Sequence, residues 1–143
     1  MKPLVEEALA GRAASFFVYG QTGSGKTYTI SGSKYEEGVF QLAMKDLLDK
    51  QRSQKLGLSL STFEVYKEQV FDLLGNEEDN PLKINEKKGG GFQVEGLTTH
   101  SIQSWSDFKQ CILKAEARRH FAQTYLFHQS SRSHFGVQVW VGQ

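Results

Sequence analysis

The chain has 143 residues, enough for one domain with a modest core. Its 17 Lys and Arg nearly balance its 16 Asp and Glu, and a net charge of +1 offers no basic field for gripping a nucleic-acid backbone. Cys111 is the single cysteine, so an internal disulfide is excluded. No apolar run approaches membrane-spanning length, and Glu6 and Glu7 interrupt any secretory leader, so an intracellular setting is expected.

Pro3 to Ala10 reads as a helix. Proline suits its first turn, Leu4, Val5, Ala8 and Leu9 form one stripe, and Gly11 can end it. Ala13 to Tyr19 is short, apolar and rich in β-formers, as a buried parallel strand should be. A helix is expected from about Gly25, interrupted over Ser31 to Gly38. It resumes from Val39 to Lys50 with Phe40, Ala43, Met44, Leu47 and Leu48 at helical spacing, and Gln51 to Lys55 reads as a polar connection. Leu56 to Tyr66 carries apolar groups on both faces and predicts a central strand. Glu68 to Leu74 is a short element of unassigned type. Leu82 to Asn85 and Phe92 to Glu95 predict a surface hairpin around a Gly89-Gly90-Gly91 tip. Ser104 to about His120 is the clearest helix, with Ser104 and Asp107 spaced as a capping box and Trp105, Phe108, Ile112 and Ala115 as its inner stripe. Gln123 to Arg132 is polar and loop-like. His134 to Val141 alternates cleanly as a last strand. Helices interleaved with strands predict an α/β fold, a layered sheet with helices on both faces.

Between the first strand and the second helix lies Gly20-Gln21-Thr22-Gly23-Ser24-Gly25-Lys26-Thr27, which fits G-x-x-x-x-G-K-[ST]. A polyphosphate packs several negative charges together. Glycines let the backbone wrap it, because no Cβ blocks positive φ or close approach, and the exposed N–H groups form an anion-binding nest. Lys26 brings a cation to the outer phosphates, and the Thr27 hydroxyl can join a Mg²⁺ shell. The competing reading is a Gly-rich turn with an incidental lysine. The strand and helix flanks weigh against it.

Residues 18–29 and 130–134 are then similar to two motifs of one family. Val18 to Thr29 resembles the phosphate loop of kinesin motor domains, and Ser130-Ser131-Arg132-Ser133-His134 resembles their first switch loop. Thr62-Phe63-Glu64-Val65-Tyr66 with Val70-Phe71-Asp72-Leu73-Leu74, and Val94-Glu95-Gly96-Leu97, resemble segments between them. The likeness runs over residues 1–143, with a phosphate loop at 20–27 and a switch loop at 127–134. Lys2 to Glu6 and Gly38-Val39-Phe40 resemble the internal-motor, microtubule-depolymerising members.

The resemblance implies a P-loop nucleoside triphosphatase fold, incomplete relative to a whole motor domain. A second switch and the principal microtubule-binding elements would lie beyond this stretch. It implies ATP and ADP with Mg²⁺ as ligands, microtubules as partner mostly through elements elsewhere, a cytoplasmic, cytoskeletal location, and no nucleic-acid or membrane partner. By resemblance, Gly20 to Tyr28 bind nucleotide, with Tyr28 near the adenine; core or rim packing is the other reading of that ring. Lys26, Ser130, Ser131 and Arg132 serve hydrolysis. Thr27 and Ser131 hold Mg²⁺, and Arg132 would pair with a glutamate of the second switch. Phe127 departs from the family, which usually carries Asn there; a phenyl ring cannot make an amide's contacts to water or phosphate.

Four features are read as structural. Asp72-Leu73-Leu74-Gly75 imitates a D-x-x-G switch but closes an irregular segment. His100, His120, His128 and His134 show no metal-ligand spacing. Arg118-Arg119-His120 reads as a solvated helix end suited to the helix dipole, and Glu77-Glu78-Asp79 as a solvated turn. For Cys111 the two readings are a reactive thiol and a small helix residue, with packing preferred.

Overall fold

The computed structural model describes residues 2–21, 23–75, 80–126 and 133–142, residues 120–126 by backbone only. The elements are α1 (Lys2–Leu9), α2 (Lys26–Ser31), α3 (Val39–Gln54), β1 (Gly57–Tyr66), β2 (Gln69–Asp72), β3 (Ile84–Glu86), β4 (Phe92–Val94), β5 (His100–Ser101), α4 (Trp105–Leu126) and β6 (Ser133–Gly142). The fold class is α/β as expected. The chain divides into two compact units, residues 1–58 with 141–143, and residues 59–140.

In the first unit α3 packs against α1 and α2. Val5 of α1 and Ala43, Met44, Leu47 and Leu48 of α3 are buried, which is the stripe the 3.6-residue spacing requires. Gly11 ends α1 with a positive φ of 76°. The helix α3 runs on through Gln51–Gln54, which had been read as connection. Those residues are good helix formers with no Gly or Pro among them, so nothing stops the helix until Lys55 turns left-handed and donates its N–H to Gln51.

The expected strand at 13–19 does not form. The segment pairs with no strand among the described residues and lies exposed, Phe17 at 81% and Tyr19 at 93%. A strand needs a ladder partner as well as β-forming residues, and composition specifies only the second.

The second unit is built on β1, which pairs antiparallel with β2 (Tyr66 opposite Gln69) and with β5 (Leu60 opposite His100). The β1–β2 turn is Lys67-Glu68, both at positive φ (46° and 64°), the geometry of a two-residue hairpin. The last strand, β6, also pairs with β1. Within this unit Phe63 lies against Gly136, where a Cβ would come within 2.3 Å of the ring. Leu60, Val70, Leu73, Leu74, Ile102, Phe108, Cys111 and Ala115 form the buried core with Thr62 and Glu64. On α4 the inner stripe is Phe108, Cys111 and Ala115, with Trp105 and Ile112 half-buried. Along β6 Phe135, Val137 and Val139 are half-buried while His134, Gln138 and Trp140 are exposed, the predicted alternation.

Helix α4 starts as the capping box foresees. The Ser104 Oγ accepts from Asp107 N–H at 3.2 Å, and Asp107 Oδ2 accepts from the N–H groups of Gln103 (3.0 Å) and Ser104 (2.8 Å). It extends past His120 to Leu126, so the polar stretch 123–126 is helix rather than loop. It contains no Gly or Pro to break the 3.6-residue repeat. The hairpin β3–β4 pairs Ile84 with Val94 and Glu86 with Phe92, and Lys87 N–H closes its tip on Gly91 O at 2.8 Å.

Candidate nucleotide site

The segment 20–28 is a loop running into α2. Gly23 (φ 83°) and Gly25 (φ 90°) hold left-handed conformations that only glycine adopts without strain. A Cβ on Gly20 would come within 2.5 Å of Ser24 Oγ, so the loop closes on itself there. Ser24 N–H donates to Gln21 O at 3.1 Å, and Thr29 N–H to Gly25 O at 2.9 Å, which starts the helix. The Lys26 ammonium reaches back across the loop and donates to Gly20 O at 2.7 Å and Gln21 O at 2.8 Å. One of its three hydrogens is left for an outer acceptor. The Thr27 side chain is exposed in the first turn of α2.

The second end of α2 is fixed by a backbone crossing that the sequence reading treated only as an interruption. Gly32 forms a bridge with Glu37, and Ser33 N–H donates to Glu36 O at 2.7 Å. Ser33 Oγ accepts from the N–H groups of Tyr35 and Glu36, and Gln41 Nε2 donates to Ser31 O at 2.8 Å. A Cβ on Gly38 would lie 2.2 Å from Ile30 O and 2.4 Å from Gly32 N, so these backbones touch directly. The resulting loop presents Glu36 to Tyr28, whose hydroxyl donates to the Glu36 carboxylate. Its sequence signal is the pair of glycines at 32 and 38 that brackets a short polar stretch.

The structure thus brings Gly20, Gln21, Gly23, Ser24, Gly25, Lys26, Thr27 and Tyr28 together. Thr22, Phe127, Ser130, Ser131 and Arg132 lie outside the described residues, as does the acidic turn 77–79. Among the described residues no group of three His, Cys, Asp or Glu is placed to hold a metal ion.

Of the features read as structural, Asp72, Cys111 and the Arg118-Arg119 pair fall among the described residues, and the last is corrected. Asp72 is committed to backbone: Oδ1 accepts from Leu74 N–H at 2.8 Å and Oδ2 from Thr98 N–H at 2.9 Å. Burial, reinforced by the negative charge of Asp107, pushes the Cys111 thiol above its ordinary pKa, which makes it a packing residue rather than a nucleophile. Arg118 and Arg119 are not a solvated helix end. Arg118 donates to Gly75 O, and Arg119 Nε sits 3.3 Å from Glu64 Oε1. The correction follows from a neighbour that local sequence cannot reveal: Glu64 is buried and requires a cation.

The comparisons decide the family. A model of the kinesin motor domain matches residues 1–143. The chain belongs to the kinesin motor domain family. It is 37% identical over 150 residues to the kinesin-like protein KIF22 of Mus musculus, covering all of this chain and 23% of that protein. It is 37% identical over 145 residues to KIN-UC of Arabidopsis thaliana, covering 98% of this chain and 14% of that protein. A solved KIF14 dimer in its two-heads-bound state, with AMP-PNP and in complex with a microtubule, superposes with a TM-score of 0.82 at 33% identity, over 96% of this chain and 40% of that one. The chain therefore spans less than half of the relatives it matches.

For the nucleotide and Mg²⁺ that this kinesin family implies, the residues present fit. The loop has glycines where wrapping requires them and an ammonium over its mouth. It also carries a hydroxyl of the type that joins a Mg²⁺ shell otherwise built from water and phosphate oxygens.

Proposed function

We propose that this chain is the nucleotide-binding core of a kinesin-type motor domain, a partial domain over residues 1–143 that binds ATP and ADP with Mg²⁺. In its full setting it would hydrolyse ATP to drive movement on, or shortening of, microtubules in the cytoskeleton. The observation that carries the reading is the loop 20–27, with its left-handed glycines and its lysine folded over two loop carbonyls.

Catalysis of this kind is mostly positioning and charge neutralisation. Bound Mg-ATP would supply the transferable phosphoryl group. Lys26 would offset its negative charge, Gly20 to Gly25 would wrap it, Thr27 and Ser131 would hold Mg²⁺, Ser130 would orient water, and Arg132 would latch the switch. Tyr28, steered by Glu36, faces the base.

The test is binding of fluorescent ADP to the chain and to Lys26→Ala. Binding lost in the variant supports the reading, and equal binding by both rejects the loop assignment. Microtubule-stimulated phosphate release belongs to the full-length reading frame and is not expected of this stretch by itself. A second reading, a kinesin-derived interaction module without catalysis, draws on the exposed Phe17 and Tyr19 and on Phe127 at the usual Asn position. An inactive full-length frame that still binds a partner would favour it. A small kinase of the phosphate-loop type would need basic lid residues, and its candidates Arg118 and Arg119 are engaged with Gly75 and Glu64.

A further inference from the structure

Arg119 joins three elements at one point. It projects from α4 to the carboxylate of Glu64 on β1, a side chain only 6% exposed, while its own is 29% exposed. The Cζ of the same guanidinium lies over the Phe135 ring of β6, 5.4 Å from the ring centroid, and its Nη2 is 3.5 Å from Ser133 Oγ. One planar group thus pairs with a buried carboxylate and lies over an aromatic ring, a combination a lysine does not reproduce. Ser133 and Phe135 open β6, and Arg119 lies in the second half of α4. The contact therefore bridges a separation of 14 positions in the chain.

We infer that Arg119 is a positioning residue: with Glu64 and Phe135 it pins the end of α4 and the start of β6 to the central strand, and so sets turnover of nucleotide rather than its grip. This rests on the reading of the chain as a nucleotide hydrolase. The grip belongs to residues 20–28. The family likeness assigns Ser130 to Arg132 to hydrolysis, and in the sequence they lie between Arg119 and Ser133. A shift of about 1 Å at the pinned ends is enough to cost roughly 100-fold in rate.

The test introduces Arg119→Lys, Glu64→Gln, Phe135→Leu and Phe135→Tyr, with amide exchange read on the 143-residue chain and ATP turnover on the full-length reading frame. Amide hydrogen exchange is expected to quicken by about tenfold at 133–137 in the first three variants and to stay unchanged in α2 and α3. Phe135→Tyr keeps the ring and should match the parent. ATP turnover is expected to fall roughly 10–100-fold in kcat in the same three variants, with KM and fluorescent-ADP affinity held within about twofold. Parent-like exchange and kcat in Arg119→Lys overturn the inference. So does a parallel loss of kcat, nucleotide affinity and thermal stability, which marks a purely structural contact. If the parent chain binds no nucleotide, the hydrolase reading falls, and the turnover role falls with it. The exchange data then decide the clamp itself, supporting it if protection at 133–137 is lost and rejecting it if not.

Discussion

Gly38→Ala isolates the backbone crossing that holds the nucleotide loop's helix. Gly38 has φ −75° and ψ 166°, which alanine adopts freely, so the substitution brings no torsional strain. All of its cost is steric. The new Cβ would sit 2.2 Å from Ile30 O and 2.4 Å from Gly32 N, and both are backbone atoms that cannot swing aside. The crossing must open, which costs about 1–3 kcal/mol as overpacking. The Gly32–Glu37 bridge and the Ser33–Glu36 hydrogen bond would be lost with it, at about 1 kcal/mol each. A total of about 3–5 kcal/mol is a large share of the roughly 5–15 kcal/mol that holds a domain together, and it lowers the melting temperature by about 10–20 °C. The control is Gly142→Ala, where a Cβ meets nothing within 4 Å; it should stay within about 0.5 kcal/mol of the parent. Thermal melts followed by far-UV circular dichroism measure both. If Gly38→Ala melts with its control, the two backbones are not in contact and the account of how α2 is held is wrong.

Three further outcomes are expected. Asp72→Ala strips two backbone N–H groups of their acceptor and should cost about 2–4 kcal/mol in urea melts; fluorescent-ADP affinity should not change, and a selective loss of affinity would restore Asp72 as a Mg²⁺ contact. The N–H of Gln103, then Ser104, hold the Asp107 carboxyl below its ordinary pKa, so its support for α4 is complete above the ordinary carboxylate range and is lost as pH falls through the lowered folded value. Helicity followed from pH 6 downward should show that loss in the parent and not in Asp107→Asn, and parallel curves would refute it. Leu60→Ala opens a cavity at a fully buried position and should cost about 2–5 kcal/mol, read from the same melts; a cost near zero would mean the core is not centred on β1.

What could be read in advance is what short-range physics dictates. Periodicity announced α3, α4 and β6, because each must hide one face, and apolar groups on both faces announced β1 as a central strand. The capping box announced where α4 begins. The loop 20–27 was legible because polyphosphate chemistry narrows the residues that can serve. Three features were not. Lys67-Glu68 turns β1 into β2 with both residues left-handed, yet neither is a usual turn former. The segment 13–19 has a strand's composition without a ladder partner among the described residues. Arg119 looked like a solvated helix end because Glu64, its reason for being there, is 55 positions away. In each case the missing information was a partner distant in the chain or a backbone state that side chains do not encode.

The β3–β4 tip has a practical use. Gly89, Gly90 and Gly91 face open space, and the bonds from Lys87 N–H to Gly91 O and from Gly90 N–H to Lys87 O close the tip off from the rest of the hairpin. Lengthening a loop is inexpensive, about 0.6 kcal/mol for each doubling. A tetracysteine dye tag or a short affinity epitope spliced between Gly89 and Gly91 would ride on the outside of the protein, a handle for tethering single molecules without disturbing the machinery being watched.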